Sequence, residues 1–332
     1  MRLLDCTLRD GANVIGQGFD AKLTISMIEA LIKSNITLIE MGNCLGIGAY
    51  ERNNSISPLT DREYLELIQP YLSQAEIGMF VGYKNVTKEY VQLAKEYNLQ
   101  FLRIGANASD GKLAAKTIEL IKNAGLTCRY SMMKGYVLSA KEAALEAKML
   151  ADSGLDEITI MDSAGTMDPV QVGEYVEEMV GTVAIPVGFH GHNNLSFAMA
   201  NAIAAAKAGA KSLDCGLLGM ARSAGNLATE VAVGVFQRMG MLLDADFYAL
   251  LHYLDNELIP LMKPYGYHTP IKPLDLVYGL AGCHSSFQSL FEQVAAEKEV
   301  DLYKLIMEVS KIDQKSPSIE LIEATANKLI AQ

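Results

Sequence analysis

The chain has 332 residues, of which 50% are hydrophobic and 20% are charged, so it has ample apolar material for a large core and is not a disordered protein. Its 28 basic residues against 39 acidic residues give a net charge of −11, which argues against a nucleic-acid or an anionic-membrane partner. We therefore expect a globular protein that acts on a small molecule.

The first residues and the pattern of cysteines bear on the cellular compartment of the protein. The chain opens with charged residues where a signal peptide has an apolar segment, and no apolar stretch approaches the ~18 residues of a membrane-spanning helix. The five cysteines are scattered and include no C-x-x-C pair, which argues against a disulfide framework and a structural zinc site. These features predict a cytoplasmic protein with reduced thiols and no membrane partner.

Short apolar or β-branched runs alternate with longer amphipathic stretches in the first 240 residues. The runs predict eight strands, at residues 3–8, 37–41, 77–81, 101–104, 127–131, 157–161, 186–189 and 212–215. Helices are predicted at residues 20–34, 61–71, 87–97, 110–123, 139–153, 168–181, 195–208 and 226–239. Strict alternation fits a closed parallel barrel or a doubly wound sheet. No G-x-G-x-x-G motif follows the first strand, which argues against a dinucleotide-binding doubly wound sheet. The predicted fold class is α/β, with a (β/α)₈ TIM barrel over residues 1–262.

The pattern changes after residue 261. Four prolines between Pro260 and Pro273 end any helix and predict a linker. Beyond them, amphipathic helices are predicted at residues 285–298, 301–310 and 318–330, with no strand. We therefore predict that residues 263–332 form a linker and a small helical C-terminal domain, which covers the barrel mouth or offers a docking face from about Leu274 onward.

Polar residues cluster where strands one and seven end, and a barrel of this kind has its active site at the carboxyl ends of its strands. His190 and His192 point to the same side of a strand, because positions i and i+2 share a face. With Asp10 they form a set of two imidazoles and one carboxylate, which suits Mn²⁺, Zn²⁺, Co²⁺ or Fe²⁺ better than Mg²⁺ or Ca²⁺. The alternative is a pair of hydrogen-bonded structural histidines.

Arg9, beside Asp10, is a second candidate. A guanidinium at this end of a strand can bind a carboxylate or stabilise an enolate oxygen. The alternative interpretation is a buried partner of Glu40 or Asp162, and both roles can hold together. The glycine-rich residues 216–226 after strand eight fit a phosphate site or, more simply, a tight loop.

Three motifs in this order resemble the DRE-TIM metallolyases, and within them the 4-hydroxy-2-oxovalerate aldolases over nearly the whole chain. The motifs are Asp5-x-Thr7-Leu8-Arg9-Asp10-Gly11, then Glu40, then His190-x-His192-Asn193. The resemblance implies a barrel enzyme that makes or breaks a carbon–carbon bond next to a carbonyl at a divalent metal. It also implies that the C-terminal helical segment docks an acylating aldehyde dehydrogenase.

The resemblance also assigns roles to individual residues. The metal ligands would be Asp10, His190, His192 and Asn226. Arg9 would stabilise the enolate, and the substrate contacts would be Arg9, Ser163, His190 and His284. The favoured ion is Mn²⁺, with Zn²⁺, Co²⁺ or Mg²⁺ as alternatives.

Three positions depart from the aldolase pattern. Asn13 stands where the family has its catalytic-base histidine, and Asn43 stands where it has another histidine. His284 stands where the family has a tyrosine. An amide does not accept a proton near neutral pH, so we predict that His284 is the proton-transfer group. The alternative is that His284 only hydrogen-bonds the substrate, and that a metal-bound water is the base.

The sequence thus predicts a divalent-metal-dependent aldolase, a lyase that cleaves a 4-hydroxy-2-oxo acid such as 4-hydroxy-2-oxovalerate. The products would be pyruvate and an aldehyde, formed through a metal-stabilised pyruvate enolate. The alternatives are a Claisen-type acyl transferase or acyl-coenzyme A lyase on the same metal scaffold, and a non-catalytic metal-binding scaffold. The expected partners are the 2-oxo acid, an acylating aldehyde dehydrogenase and further copies of the chain in a homo-oligomer.

Overall fold

The computed structural model describes residues 1–52, 57–268, 273–281, 283, 287–313 and 316–331. These residues form two compact units, Met1–Ala232 and Val233–Gln332. The predicted domain boundary between residues 262 and 263 stays a prediction. Among the described residues, none of the helices combines the length and the apolar character needed to cross a bilayer.

Eight parallel strands form a closed barrel in sequence order. They are β1 (Arg2–Asp5), β2 (Leu38–Met41), β3 (Glu76–Gly82), β4 (Phe101–Asn107), β5 (Thr127–Met133), β6 (Glu157–Asp162), β7 (Val187–Gly191) and β8 (Ser212–Cys215). The ring closes because β1 pairs with β8 as well as with β2, with Arg2 opposite Ser212. The predicted (β/α)₈ barrel is confirmed.

Helices connect the strands. They are α1 (Ala21–Lys33), α2 (Ala49–Arg52), α3 (Asp61–Leu67), α4 (Lys88–Glu96), α5 (Gly111–Asn123), α6 (Ala140–Asp152), α7 (Pro169–Thr182), α8 (Ala198–Lys207) and α9 (Thr229–Arg238). Several begin after a side chain that accepts a hydrogen bond from a free backbone N–H, such as Asp20 before α1 and Asp168 before α7. Thr60 and Ser139 form capping boxes with glutamates three positions later. The short helix α2 was not predicted.

The first strand is shorter than predicted, and its end positions the site. It stops at Asp5 because the carbonyl oxygen of Cys6 accepts hydrogen bonds from three successive N–H groups. The donors are Arg9 at 3.1 Å, Asp10 at 2.8 Å and Gly11 at 3.2 Å. Arg9 and Asp10 therefore lie on a tight turn directly after β1 and not within the strand.

The described residues of the second unit form helices and the turns between them, with no strand. It contains α10 (Phe247–Tyr253), α11 (Ile259–Met262), α12 (Pro273–Ala281), α13 (Gln288–Lys298), α14 (Leu302–Ser310) and α15 (Ile319–Ile330). The predicted helical tail is confirmed.

The predicted proline linker is wrong in part. Pro260 lies in the first turn of α11, and Pro273 begins α12. A proline is tolerated in a first turn because its missing N–H has no partner there. A π-helical turn over Leu254–Leu258 precedes Pro260 and keeps the backbone helical. Residues 269–272 lie outside the described residues.

Candidate active site

A cavity of about 310 Å³ opens at the carboxyl ends of the barrel strands. Five of the predicted site residues line it, namely Arg9, Asp10, Ser163, His190 and His192. Because these residues come from β1, β6 and β7 and from the turns that follow them, the closed barrel brings distant parts of the chain to one place. His284, predicted to transfer the proton, lies outside the described residues.

The three predicted metal ligands of strands one and seven converge in this cavity. Asp10, His190 and His192 each offer one ligand atom, and these atoms all lie within 4.8 Å of one another. The two imidazole centroids are 5.1 Å apart, and His190 Nε2 is 3.6 Å from Asp10 Oδ2. All three side chains are buried. The arrangement has the size of a site for a single cation.

His190 is held in one orientation by a carboxylate behind it. Its Nδ1 lies 2.9 Å from Oδ2 of Asp214, which is on β8. Burial alone would raise the pKa of the Asp214 carboxyl, but Arg103 and His190 lower it below its usual range. The ionised carboxylate accepts the hydrogen bond from Nδ1, which leaves Nε2 facing the cluster.

His192 is held neutral and has an unused nitrogen. Burial and the neighbouring His190 lower the pKa of His192 to about 4, so the ring is uncharged at neutral pH. Its Nδ1 is buried and has no hydrogen-bond partner among the described residues. Its backbone N–H donates to the carbonyl oxygen of Asp162 at 3.2 Å, which fixes the position just beyond β7.

Asn226 is hydrogen-bonded to the cluster. Its Nδ2 donates to Asp10 Oδ2 at 2.8 Å, and its Oδ1 is buried without a partner in the described part of the chain. Burial alone would raise the pKa of the Asp10 carboxyl, but Arg9, His190 and His192 lower it well below its usual range. One ionised carboxylate, two imidazole rings and one amide oxygen without a partner among the described residues fit a divalent cation.

Arg9 has two of its nitrogens occupied and one free. Nε donates to Glu40 Oε1 at 2.6 Å, and Nη1 lies 3.0 Å from Asp10 Oδ1. The guanidinium stands 4.7 Å from the centre of the Phe80 ring. Nη2 is buried and has no partner among the described residues. Arg9 is therefore a partner of Glu40, as one interpretation expected, and it also keeps a donor for a ligand.

Asp162, the other expected partner of Arg9, has a different function. Its two carboxylate oxygens each accept a backbone N–H at 3.0 Å, from Thr166 and Met167. These bonds fix the turn after β6, which carries Ser163. Ser163 Oγ accepts the backbone N–H of Lys134 at 2.9 Å, so its own hydroxyl hydrogen remains available to a ligand.

Residues 1–256 match the profile of the HMGL-like family. The chain belongs to the HMGL-like family. The predicted family resemblance and the predicted carbon–carbon lyase class are thereby confirmed.

Several known proteins are similar to this HMGL-like chain over most of its length. The 4-hydroxy-2-oxovalerate aldolase of Geobacillus genomosp. 3 is 30% identical over 313 residues, which are 94% of this chain and 91% of that protein. The protein of the same name from Desulfitobacterium hafniense is 29% identical over 311 residues, 94% of this chain and 92% of that protein. The solved N-terminal domain of a candidate aldolase from Bacteroides vulgatus is 25% identical, with a TM-score of 0.71, and the match covers 81% of this chain and 89% of that one.

Two positions where this HMGL-like chain departs from the aldolase pattern hold the loops by hydrogen bonds. Asn13 Nδ2 donates to Asp10 Oδ1 at 3.2 Å, and Asn13 Oδ1 accepts from Arg222 Nη2 at 2.9 Å. Asn43 Nδ2 donates to Asp61 Oδ1 at 3.2 Å, and Asn43 Oδ1 accepts the N–H of Leu45 at 3.0 Å. Both amides are therefore engaged in positioning.

The glycine-rich residues 216–226 form a tight loop, as the simpler interpretation expected. The N–H of Leu217 donates to Thr7 Oγ1 at 2.7 Å, and the N–H of Leu218 donates to Glu230 Oε2 at 3.0 Å. Gly225 has a left-handed φ of +86°, and a Cβ there would lie 2.4 Å from the carbonyl oxygen of Gly219. The close approach requires glycine and fixes the neighbouring Asn226.

Sequence reasoning missed a buried chain of charges behind the cluster. Arg103 on β4 contacts Glu40 Oε2 at 3.4 Å through Nη1 and Asp214 through Nη2. The chain thus runs from Arg9 through Glu40, Arg103 and Asp214 to His190, with alternating charge. The available signal was a charged residue within an otherwise apolar strand, as at Arg103 and Asp214.

Proposed function

We propose that the chain is a divalent-metal-dependent aldolase that cleaves a 4-hydroxy-2-oxo acid to pyruvate and an aldehyde. The observation that carries the proposal is the convergence of Asp10, His190 and His192 beside the free Nη2 of Arg9 in one small cavity. The name shared by its relatives, 4-hydroxy-2-oxovalerate aldolase, describes this class of cleavage.

Asp10, His190, His192 and the amide oxygen of Asn226 would hold the ion. A bound divalent ion supplies a Lewis acid that polarises the carbonyl of the 2-oxo acid. The mixed nitrogen and oxygen donor set favours Mn²⁺, with Zn²⁺, Co²⁺ or Mg²⁺ as alternatives. In this arrangement the imidazole of His192 needs no deprotonation at neutral pH, because its ring is already uncharged.

Arg9 would stabilise the charge that develops during cleavage. When the C3–C4 bond breaks, the electron pair moves toward the C2 oxygen and forms the enolate of pyruvate. The free Nη2 of Arg9 can donate to that oxygen, while Glu40 and Asp10 hold the other nitrogens in place. A donor that is already oriented needs little rearrangement when the charge appears, which is the condition for a large electrostatic effect. Ser163 would bind the C1 carboxylate through its hydroxyl hydrogen.

The 4-hydroxyl proton needs an acceptor, and Asn13 is unsuited to it. Both ends of its amide are engaged, with Asp10 and with Arg222. We propose that His284 accepts the proton, on the strength of the resemblance alone. The assembly proposals rest on the same resemblance: further copies of this chain, and an acylating aldehyde dehydrogenase that consumes the aldehyde.

The size of the cavity favours a small acid over a coenzyme A thioester. At about 310 Å³ it stands at the lower end of small-molecule sites, which span roughly 300–1,000 Å³. An acyl-coenzyme A lyase or a Claisen-type acyl transferase would have to accommodate a much larger ligand. The small-acid aldolase is therefore the function that the site supports best.

The test is pyruvate release from 4-hydroxy-2-oxovalerate, followed with lactate dehydrogenase and NADH, after removal of metal and addition of Mn²⁺, Zn²⁺, Co²⁺ or Mg²⁺ in turn. We expect metal-dependent release, and a loss of ~10²–10³-fold in kcat for Arg9→Met, as for an oxyanion donor. The matched control is Arg62→Met, an exposed arginine on α3. No pyruvate with any ion, or full activity in Arg9→Met, would contradict the proposal.

A further inference from the structure

Arg222 is a cation on the cavity wall that has no acidic partner among the described residues. It lies in the tight loop after β8, and its Nη2 donates to Asn13 Oδ1 at 2.9 Å. Asn13 in turn donates to Asp10 Oδ1 at 3.2 Å, so the guanidinium stands two hydrogen bonds from the metal-ligand cluster. Within the described part of the chain no carboxylate pairs with Arg222, whereas both buried arginines of the site have acidic partners.

A second observation places Arg222 toward the cavity. Burial raises the pKa of the Cys44 thiol on the cavity wall, and Arg222 and Arg9 act against this rise. The effect on the pKa of Cys44 shows that the positive charge of Arg222 acts on the cavity, although the side chain of Arg222 is exposed. An exposed arginine at this position can bind a ligand in the cavity while part of its side chain stays in contact with solvent.

The charges of the site leave Arg222 uncompensated. The buried cations Arg9 and Arg103 face three carboxylates, Asp10, Glu40 and Asp214. This surplus of one negative charge, together with the single carboxylate of a simple 2-oxo acid, balances one divalent ion. Two exposed cations on the cavity wall then remain, Arg222 and Lys134. Because Lys134 stands beside Ser163, a substrate whose only carboxylate binds at Ser163 would leave Arg222 unmatched.

The cavity has donors on both sides of the histidines. Ser163 follows β6 and Arg222 follows β8, whereas His190 lies on β7 between them and His192 directly follows β7. A substrate that binds Ser163 through its C1 carboxylate and crosses the metal ligands would present its other end to Arg222. A guanidinium recognises a carboxylate with two parallel hydrogen bonds, which gives direction as well as attraction.

We propose that the acid cleaved here carries a second carboxylate beyond C4, bound by Arg222. This inference rests on the proposed function. In the reaction the C3–C4 bond breaks, the 4-hydroxyl loses its proton, and C4 becomes a carbonyl that keeps its carboxylate. The electron pair forms the pyruvate enolate, which takes up a proton at C3. The second product is therefore an oxo acid and not a neutral aldehyde.

Binding tests the inference without any cleavage. 2-Oxoglutarate and 2-oxovalerate are five-carbon 2-oxo acids that differ at C5, carboxylate against methyl, and neither has a 4-hydroxyl to start cleavage. With the Mn²⁺-loaded protein, calorimetry should give 2-oxoglutarate a Kd at least ~10-fold lower, since a charge-assisted pair is worth a factor of this order. Arg222→Gln should remove most of the difference, and Arg222→Lys should keep part of it. The control, Lys148→Gln, removes the same charge from an exposed lysine on α6 and should change neither Kd.

Cleavage gives the second measurement. We compare kcat/KM for 4-hydroxy-2-oxoglutarate and 4-hydroxy-2-oxovalerate in the parent protein and Arg222→Gln. The parent should favour the dicarboxylate by ~10-fold or more, and the variant should lose this preference. If the parent binds both C5 analogues equally, or if Arg222→Gln weakens both alike, the inference is wrong even when pyruvate is released. If neither substrate yields pyruvate, the proposed function fails, and the calorimetric comparison still decides whether Arg222 binds a second carboxylate.

Discussion

At the scale of single residues, the site contains three buried polar atoms that have no partner among the described residues. They are Nη2 of Arg9, Nδ1 of His192 and Oδ1 of Asn226. Leaving a buried polar atom unsatisfied costs about 1–3 kcal/mol, a cost that a bound ligand or ion removes. A guanidinium donor, an amide acceptor and an imidazole nitrogen in this small region are what an anionic ligand and a cation would together satisfy.

The imidazole of His192 gives the most direct test of the metal cluster. In His192→Ala the site loses one of its three close ligand atoms, so divalent-metal affinity should fall by more than ~100-fold and activity should fall with it. Calorimetric titration of the metal-free protein with Mn²⁺ measures the affinity. His252→Ala serves as the control, because that histidine belongs to the helical unit and pairs with Asp301 there. Unchanged Mn²⁺ affinity in His192→Ala would exclude it as a ligand.

His284 can be tested by the pH dependence of turnover. If it is the general base, His284→Gln should lower kcat by ~10²–10⁴-fold and remove the limb of the pH–rate profile near pH 6–7. The physical reason is that an amide does not take up the 4-hydroxyl proton. A loss below about tenfold with the limb retained would show that His284 only contacts the substrate.

The site residues that could be predicted from the sequence are those that a local pattern places, whereas contacts between distant loops could not be predicted. His190 and His192 share a strand face by local periodicity, and Asp10 follows a strand end that any barrel directs to the same mouth. The bond from Arg222 to Asn13 joins two irregular loops, and no local pattern specifies which loops meet. The contact between Arg222 and Asn13 could therefore not be predicted from the sequence.

At the scale of elements, β4, β7 and β8 act together through one ion-paired side chain each. Arg103 on β4, Asp214 on β8 and His190 on β7 are in contact inside the barrel, and none is exposed. Burial makes each interaction dependent on the others, since removing one partner leaves an uncompensated charge inside the barrel. Rigid strands rather than loops thus determine how His190 faces the ion.

Asp214→Asn tests this dependence. The amide can donate to His190 Nδ1 and so favour the wrong imidazole tautomer, which should weaken Mn²⁺ binding by ~10–100-fold although Asp214 is not itself one of the proposed ligands. The measurement is Mn²⁺ affinity by calorimetry, with the unfolding midpoint recorded alongside. Asp152→Asn, which removes an exposed carboxylate on α6, should change neither. An Mn²⁺ affinity within twofold of the parent's in Asp214→Asn would contradict the positioning role.

Strand and helix positions were predictable because hydrophobic periodicity is local. All eight strands were found, and α13, α14 and α15 lie within the predicted ranges. The end of β1 was not predictable, because it depends on three N–H groups that converge on the carbonyl of Cys6. The helix through Pro260 was also missed, because a π-helical turn, which has no clear sequence signal, precedes it.

At the scale of the molecule, two buried carboxyls make stability depend on pH. Burial raises the pKa of Asp5 to about 6, and burial raises that of Glu230 to about 7. Their hydrogen-bond partners include Thr229 for Asp5 and the N–H of Leu218 for Glu230. The folded protein holds these protons more tightly than the unfolded chain does. The contribution of the two groups to stability is therefore greatest below about pH 4, and it is lost as pH rises through their folded pKa values of about 6 and about 7.

Glu230→Gln should flatten this decline. A glutamine does not ionise, so the variant should lose less of its free energy of unfolding between pH 5 and pH 8, by up to ~3 kcal/mol. Urea unfolding of the metal-free protein at each pH gives the slope, and the slope rather than the absolute stability is decisive. Glu96→Gln, at an exposed position on α4, should run parallel to the parent. A Glu230→Gln profile that also runs parallel would contradict the prediction.

Closure of the barrel between its first and last strands has a consequence for dynamics. Asp10 follows β1, whereas His190 and His192 lie at β7, and β1 reaches that side of the ring only by pairing with β8. An ion bound by these three residues therefore stabilises the closed ring and not a ring opened at this seam. When the metal is removed, amide hydrogen exchange should accelerate first in β1 and β8, while β4 and β5 on the far side keep their protection.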